Sequence, residues 1–239
     1  MTQRFPTFNP RELIRRTIYD LTRPRLIKQF IWLALFWVVV AVSILLNIDY
    51  LKTTYPNPVL PDDRLLDLFT QNDTFIWVAE IFSSVEVALV VFILWTRGFK
   101  GAPYLLFMMG LMFMLRGFVI TLTPLAQIQP PSEIYAESHI IAQMFYHGMF
   151  FSGHTASAFI QAFYFKGHRL RPLIFLVASI QAISLIISHS HYSIDVVGGL
   201  FVAYFVSHFD WMRLVPPFLR QVKVMPWYVD AEDQQGLVA

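Results

Sequence analysis

The sequence contains no cysteine and unusually few charged residues. Without cysteine the chain can form no disulfide, thiolate metal site or cysteine nucleophile. Charged residues make up 14% of its 239 residues and hydrophobic residues 56%. Soluble proteins average about 25% charged residues. The net charge of +2 is too small to indicate a nucleic-acid partner. The composition therefore predicts an integral membrane protein.

Six apolar segments approach the roughly 20 residues that a helix needs to cross a membrane. They are residues 30–48, 74–96, 103–124, 146–165, 172–190 and 192–211. The sequence thus predicts an all-α integral membrane protein, with a six-transmembrane-helix bundle over residues 30–211. Residues 1–29 are basic and predict either a cytoplasmic amphipathic arm on the membrane surface or a solvated arm. Residues 212–239 predict a cytoplasmic tail.

Lysine and arginine are unevenly distributed between the two ends of these spans. With the N-terminus inside, only Lys52 and Arg64 fall in outer loops, whereas the N-terminal arm alone carries seven basic residues. Cytoplasmic loops of membrane proteins are enriched in lysine and arginine. The distribution therefore predicts that both termini are cytoplasmic.

Two short polar segments carry residues suited to catalysis. His191 and Asp195 stand four apart in residues 188–197 (SHSHYSIDVV), so on a helix they would share one face. His154 lies in residues 151–155 (FSGHT). Two histidines and an aspartate can act as a nucleophile, its orienting group and an acid/base. The alternative is that these histidines only pack near helix ends.

Ionisable residues within the predicted spans converge on one depth. At about 1.5 Å per helical residue, Arg116 and His154 lie roughly 20 Å above the inner face and Glu80 about 25 Å. His191 and Asp195 fall near the outer surface. Ionisable residues inside a membrane usually face a cavity or a partner and mark function. The sequence therefore predicts one site that faces the outer leaflet.

Some of these polar residues also have a purely structural interpretation. Glu80 and Arg116 could simply neutralise each other. Glu86 is a second possible partner for Arg116, and we interpret Glu86 mainly as a structural residue. His147 and His189 are plausible members of the pocket or flanking bystanders.

The two histidine segments are similar to the paired histidine motifs of the sphingomyelin synthase family, a branch of the PAP2 (lipid phosphate phosphatase) superfamily. Upstream, Leu60-Pro61-Asp62 resembles a Leu-Pro-Asp element of that family, and Glu80 resembles a glutamate in its second span. Residues 116–124 (RGFVITLTP) resemble its arginine-to-Thr-Leu-Pro element. The resemblance covers about residues 55–210.

The resemblance is incomplete at two places. His147-Gly148 stands where the family usually has Gly-Asp, so one pocket carboxylate is absent, His147 is a candidate substitute, and the head group stays open. Leu185 stands where the phosphatase branch has an arginine, and the Lys-x6-Arg-Pro element of that branch is absent as well. A phosphomonoester carries nearly two negative charges and calls for several cations. A phosphodiester carries one, which Arg116 and a protonated histidine can balance.

The resemblance implies transfer of a phosphocholine or phosphoethanolamine head group from a phospholipid donor to a lipid hydroxyl, ceramide or diacylglycerol. In it His191 attacks phosphorus, Asp195 orients His191, and His154 acts as acid and base, with neither metal nor cofactor. The residues expected to bind substrate are Arg116, Glu80, Ser152, Gly153, Tyr192 and His147.

Three other functions remain open from the sequence. A lipid phosphatase or phospholipase C-like hydrolase would use the same residues with water as acceptor. A membrane metal enzyme could bind zinc or iron through the histidines and Asp195. A transporter could line its path with Glu80, Arg116 and the histidines, although the sequence lacks inverted repeats.

Overall fold

In the part of the chain that the structure describes, all the longer elements are helices. The computed structural model describes residues 10–57, 60–126, 128, 150–209 and 211. These residues contain α1 (Pro10–Leu21), α2 (Pro24–Thr54), α3 (Thr74–Arg97), α4 (Ala102–Leu122), α5 (Gly153–Tyr164), α6 (Arg171–Ile187) and α7 (Ser193–His208). Short 3-10 turns lie at Leu66–Leu68 and Phe99–Gly101. The predicted all-helical architecture is confirmed for this part of the chain.

The first three predicted spans correspond to helices long and apolar enough to cross a membrane. The qualifying stretches are Leu26–Thr54 in α2, Thr74–Thr96 in α3 and the whole of α4. Helix α2 has 31 residues and extends beyond predicted residues 30–48 at both ends. It begins at Pro24 because proline is favoured in the first turn, where its missing N–H costs no helical hydrogen bond. These helices support a membrane protein.

Helix α2 exposes a broad apolar surface. Its exposed large side chains are Ile27, Ile31, Trp32, Leu35, Val38, Val39, Val42, Leu45, Leu46 and Tyr50. Its opposite side packs against α4, where the Phe36 ring lies against Gly110. A contiguous apolar face of this size is unfavourable in water and suits contact with lipid.

The last three predicted spans contain shorter helices. Helix α5 has 12 residues, and the start of predicted span 146–165 lies partly outside the described residues. Helix α6 ends before predicted residue 190 because His189 adopts a positive φ of 55°, which a helix cannot accommodate. Helix α7 ends at His208 rather than at residue 211. Within the described ranges, three helices qualify as spans by length and composition, so six spans stays a prediction.

The core of the fold centres on α5. This helix packs against α4, α6 and α7, while α3 packs along α6. Near the end of α5, the Tyr164 hydroxyl donates to the Gly101 carbonyl at 2.7 Å and ties α5 to the start of α4. The beginning of α5 therefore lies at the opposite end of the bundle, beside the last turns of α4.

The N-terminal arm is partly helical. Helix α1 lies within residues 1–29 and exposes Ile14 and Ile18, so it has the amphipathic character expected of a surface helix. Helix α2 already begins at Pro24, inside the predicted arm. Residues 1–9 and the whole predicted tail, 212–239, lie outside the described residues, and the membrane location of α1 stays a prediction.

The predicted orientation can be tested by labelling single cysteines, because the chain contains none of its own. Asn57 and Lys166 are exposed, after α2 and after α5 respectively. With both termini cytoplasmic, a membrane-impermeant maleimide should label Asn57→Cys in intact cells and Lys166→Cys only after permeabilisation. The reverse pattern would move the site to the inner leaflet.

Candidate active site

The start of α5 is held in place by a serine cap. The Ser152 hydroxyl oxygen accepts hydrogen bonds from the Thr155 backbone N–H at 3.2 Å and from the Thr155 hydroxyl at 3.1 Å. Such a cap satisfies one of the backbone donors that a helix leaves unpaired at its first turn. His154, the second residue of α5, is thereby fixed within a capped turn.

The start of α7 carries the second histidine and its carboxylate. Asp195 lies in the first turn, where one oxygen accepts a hydrogen bond from the Tyr192 backbone N–H at 3.2 Å. The same oxygen lies 3.5 Å from Nδ1 of His191. That distance is longer than a typical hydrogen bond, so the two groups are close neighbours. His191 itself lies in the turn before α7, so Asp195 reaches back to it from the helix.

The two histidine segments meet through backbone contact between α5 and α7. The Ser152 backbone N–H donates to the Asp195 carbonyl at 2.9 Å. A Cβ at Gly199 would lie 2.7 Å from the Ser152 carbonyl oxygen, so only glycine allows this approach. As a result the His154 and His191 rings lie next to each other, with centroids 6.1 Å apart and planes inclined at 66°.

Arg116 reaches the place where the starts of α5 and α7 meet, called the junction below, from α4. The side chain is buried, at 7% exposure, and its Nε donates to the Phe151 carbonyl at 3.0 Å. Gly153 lies against it, and a Cβ there would be 3.5 Å from the Arg116 Cδ. The negative charge of Asp195 acts on Arg116 within the same buried cluster. Arg116 therefore contributes both a positive charge and a contact that fixes the approach to α5.

Glu80 of α3 lies beside His154 on the more exposed side of the cluster. Its Oε1 lies 3.9 Å from Nε2 of His154. The side chains of this pair are 40% and 31% exposed, whereas those of His191 and Asp195 are 6% and 0% exposed. The site thus combines a buried histidine–carboxylate pair with an open one.

The structure brings most of the predicted site residues together. Those that meet at the junction are His154, His191, Asp195, Arg116, Glu80, Ser152 and Gly153. Tyr192 is adjacent but 2% exposed, with its ring packed on Leu66 and its hydroxyl without a hydrogen-bond partner in the described residues. His147 lies outside those residues. The binding and catalytic roles of all these residues stay predictions.

Two other ionisable residues considered from the sequence have different surroundings. Glu86 is 1% exposed on α3, and neither of its carboxylate oxygens has a hydrogen-bond partner within the described ranges. The Nε2 of His189 lies 3.1 Å from the Phe69 carbonyl oxygen, which links it to the loop before α3. Among the described residues, no three His, Asp or Glu side chains are grouped to hold a metal ion.

Asp63 is the residue that sequence reasoning missed. It lies in the α2–α3 loop (residues 55–73), and its Oδ2 accepts a hydrogen bond from the Ser193 backbone N–H at 2.6 Å. Its Oδ1 accepts one from the Ser193 hydroxyl at 2.9 Å. The surface cavity beside this contact has a volume of about 280 Å³. Its lining residues are Pro61, Asp62, Asp63, Arg64, Leu65, Tyr192, Ser193 and Ile194.

A match to a known protein family covers the C-terminal part of the chain, which includes some of the candidate site residues. Residues 148–212 match the family model described as PAP2 superfamily C-terminal. This match supports the PAP2 superfamily. It includes His154, His191 and Asp195, but not Glu80 or Arg116. No curated protein matches the chain. The sphingomyelin synthase branch therefore stays a prediction.

Gly199 provides a direct test of the contact between α5 and α7. Gly199→Ala should lower the free energy of unfolding by about 1–3 kcal/mol, because the new methyl group overlaps the Ser152 backbone. Turnover of a phospholipid should fall as well, since His154 is displaced from His191. Leu200→Ala, at the exposed neighbour, is the matched control and should change neither quantity much. Wild-type stability and rate in Gly199→Ala would contradict this account of the junction.

Proposed function

We propose that the protein is a membrane phosphotransferase that moves a phosphocholine or phosphoethanolamine head group from a phospholipid to a lipid hydroxyl. The acceptor we expect is ceramide or diacylglycerol. Similarity to the PAP2 superfamily indicates lipid phosphatase or phosphotransferase chemistry. The transferase is a narrower proposal, and hydrolysis of the same donors is the second candidate.

The proposal depends mainly on the closeness of the His154 and His191 rings. The two ring centroids are 6.1 Å apart, so one small phosphoryl group bound beside the pair could meet both imidazoles. One histidine has a buried carboxylate to orient it, and the other is partly exposed. This asymmetry matches the different tasks of a nucleophile and an acid/base.

In the first step, Nε2 of His191 attacks phosphorus. Asp195 lies beside Nδ1 and favours the tautomer with its proton there, which leaves the Nε2 lone pair free. A nitrogen–phosphorus bond forms, and the bond from phosphorus to the diacylglycerol oxygen breaks. His154 donates a proton to that oxygen, so neutral diacylglycerol leaves.

In the second step, His154 takes a proton from the hydroxyl of the acceptor. The acceptor oxygen attacks phosphorus, and the bond to His191 breaks, which regenerates both histidines. Glu80, 3.9 Å from His154, would stabilise the protonated form of His154 that begins the first step and that the second step restores. Atoms and charges balance with no additional reactant.

The proposed substrate is a phosphodiester because few cations lie in the part of the candidate site that the structure describes. Arg116 is the buried basic side chain at the junction, and Leu185 stands where the phosphatase branch has an arginine. One guanidinium with a protonated histidine can balance the single charge of a diester and stabilise the charge that develops on its oxygens. A monoester would leave close to one further negative charge uncompensated.

The surroundings of the open pair favour a lipid acceptor over water. Trp77 stands one helical turn before Glu80 and is 57% exposed, and the adjacent Ile81 is 56% exposed. Phe151 and Tyr192, which neighbour the histidine segments in sequence, are buried and so add little apolar surface there. An apolar approach along α3 would let burial of lipid chains supply binding energy.

His191 and Asp195 should behave as one unit in kinetics. His191→Ala removes the nucleophile and Asp195→Asn its orienting carboxylate, so each should reduce turnover by at least about 10³-fold. The double variant should be little worse than His191→Ala alone. Head-group release from a labelled phospholipid measures this, with folding checked by thermal unfolding. Full activity in His191→Ala would exclude it as the nucleophile.

Transfer and hydrolysis can be separated by the fate of a labelled head group. With a phospholipid carrying labelled choline or ethanolamine, most of the label should appear in ceramide or in newly formed phospholipid. Free phosphocholine or phosphoethanolamine should be minor, because the open pair lies beside an apolar surface. His191→Ala is the control that should yield neither product. Label found only as free head group, at every acceptor concentration, would identify a hydrolase.

A further inference from the structure

The α2–α3 loop contacts the turn between α6 and α7 (residues 188–192), which contains His191, at several points. Among the described residues, four hydrogen bonds, two of them between Ser193 and Asp63, join the two segments in addition to the packing of Leu66 on Tyr192. They run from the Asn72 N–H to the Ile187 carbonyl, between His189 Nε2 and the Phe69 carbonyl oxygen, and from Ser193 to Asp63. His191 lies within the segment that these contacts enclose.

Two carboxylates bind successive backbone donors at the start of α7. Asp195 accepts from the Tyr192 N–H at 3.2 Å, and Asp63 accepts from the Ser193 N–H at 2.6 Å. Backbone N–H groups at a helix start have no partner within the helix, and negative charge is favourable there. Asp63 therefore belongs to the capping of the helix that carries Asp195, although it comes from a distant loop.

The charge state of Asp63 fits this contact. Partial burial alone would raise its pKa, but hydrogen bonds from the Ser193 N–H and hydroxyl, and from the Leu65 and Leu66 N–H groups, lower the pKa below its usual value. The contact is fully formed above the usual aspartate pKa of about 3.9 and is lost as pH falls through the lower folded value. Asp63 is therefore ionised at neutral pH.

We propose that Asp63 is a positioning residue for the His191–Asp195 pair: by binding Ser193 it fixes the first turn of α7, and with it the orientation of both side chains. The kinetic part of this inference rests on the proposed function. Asp63 touches no reacting atom. It acts through the backbone of Tyr192 and Ser193, which lie between the two members of the pair.

The kinetic test uses substitutions graded by what they remove. Asp63→Ala deletes both hydrogen bonds and should lower kcat about tenfold to hundredfold with KM for the donor nearly unchanged, because small misplacement of reacting groups slows chemistry. Asp63→Asn keeps an acceptor for the Ser193 N–H and an amide for its hydroxyl, so it should restore much of the rate. Asp67→Asn, at an exposed carboxylate in the same loop, is the matched control and should behave as wild type.

A readout independent of activity is the modification of His191 by diethylpyrocarbonate, followed by peptide mass spectrometry. His191 is 5% exposed, so it should react slowly in the wild type and in Asp67→Asn. In Asp63→Ala it should react several-fold faster, because the loop no longer holds the turn.

Other results of these experiments would contradict either the positioning role of Asp63 or the proposed function. Equal kcat and equal His191 modification in Asp63→Ala and wild type would overturn the positioning role, as would an equal loss in Asp67→Asn. Should Asp63→Ala not fold, Asp63→Asn and Ser193→Ala must still show smaller losses of the same kind, or the inference is wrong. Absence of turnover in the wild type with every phospholipid donor would refute the proposed function, while the modification rates still decide the role of Asp63.

Discussion

The close backbone contact between the starts of α5 and α7 is the constraint on which the candidate site depends. Gly199 lets the Ser152 carbonyl approach to a distance that any side chain would block, and the Ser152 N–H then bonds the Asp195 carbonyl. Each helix start is also capped by a residue of its own segment. Because backbone atoms set the spacing, the two histidines keep their separation without depending on flexible side chains, which is the kind of preorganisation that catalysis requires.

The second constraint is the cost of burying charge in the apolar bundle. An ionisable group at the centre of a membrane costs at least about 2.5–3.5 kcal/mol, so such groups need partners. Here the partners come from within the cluster: Arg116 donates to the Phe151 carbonyl and lies in the field of Asp195, which in turn binds the Tyr192 N–H. These contacts reduce the cost of burial and at the same time orient Arg116 and Asp195. Structural and functional interpretations of these residues are therefore compatible.

Sequence reasoning predicted the parts of the fold that local patterns encode. Long apolar runs predicted α2, α3 and α4, and spacing predicted the His191–Asp195 pair. Boundaries were less accurate, since the positive φ of His189 and the cap at Ser152 end and start helices inside apolar runs. Asp63 could not be predicted, because it meets Ser193 across 130 residues and no pattern within either segment records the contact. The contact between Glu80 and His154 likewise depends on how the helices pack and could not be predicted from local patterns.

The unequal exposure of the two histidine–carboxylate pairs has a consequence for the proposed mechanism. A phosphohistidine must survive until the acceptor arrives, so the nucleophile benefits from the burial of His191 beside Asp195. The acid/base must meet a different lipid oxygen in each step, and the more exposed pair of His154 and Glu80 is suited to that exchange. Water that reaches His154 would lead to hydrolysis by the same steps. The balance between transfer and hydrolysis therefore depends on how well lipid covers the open side of α3, rather than on the histidines themselves.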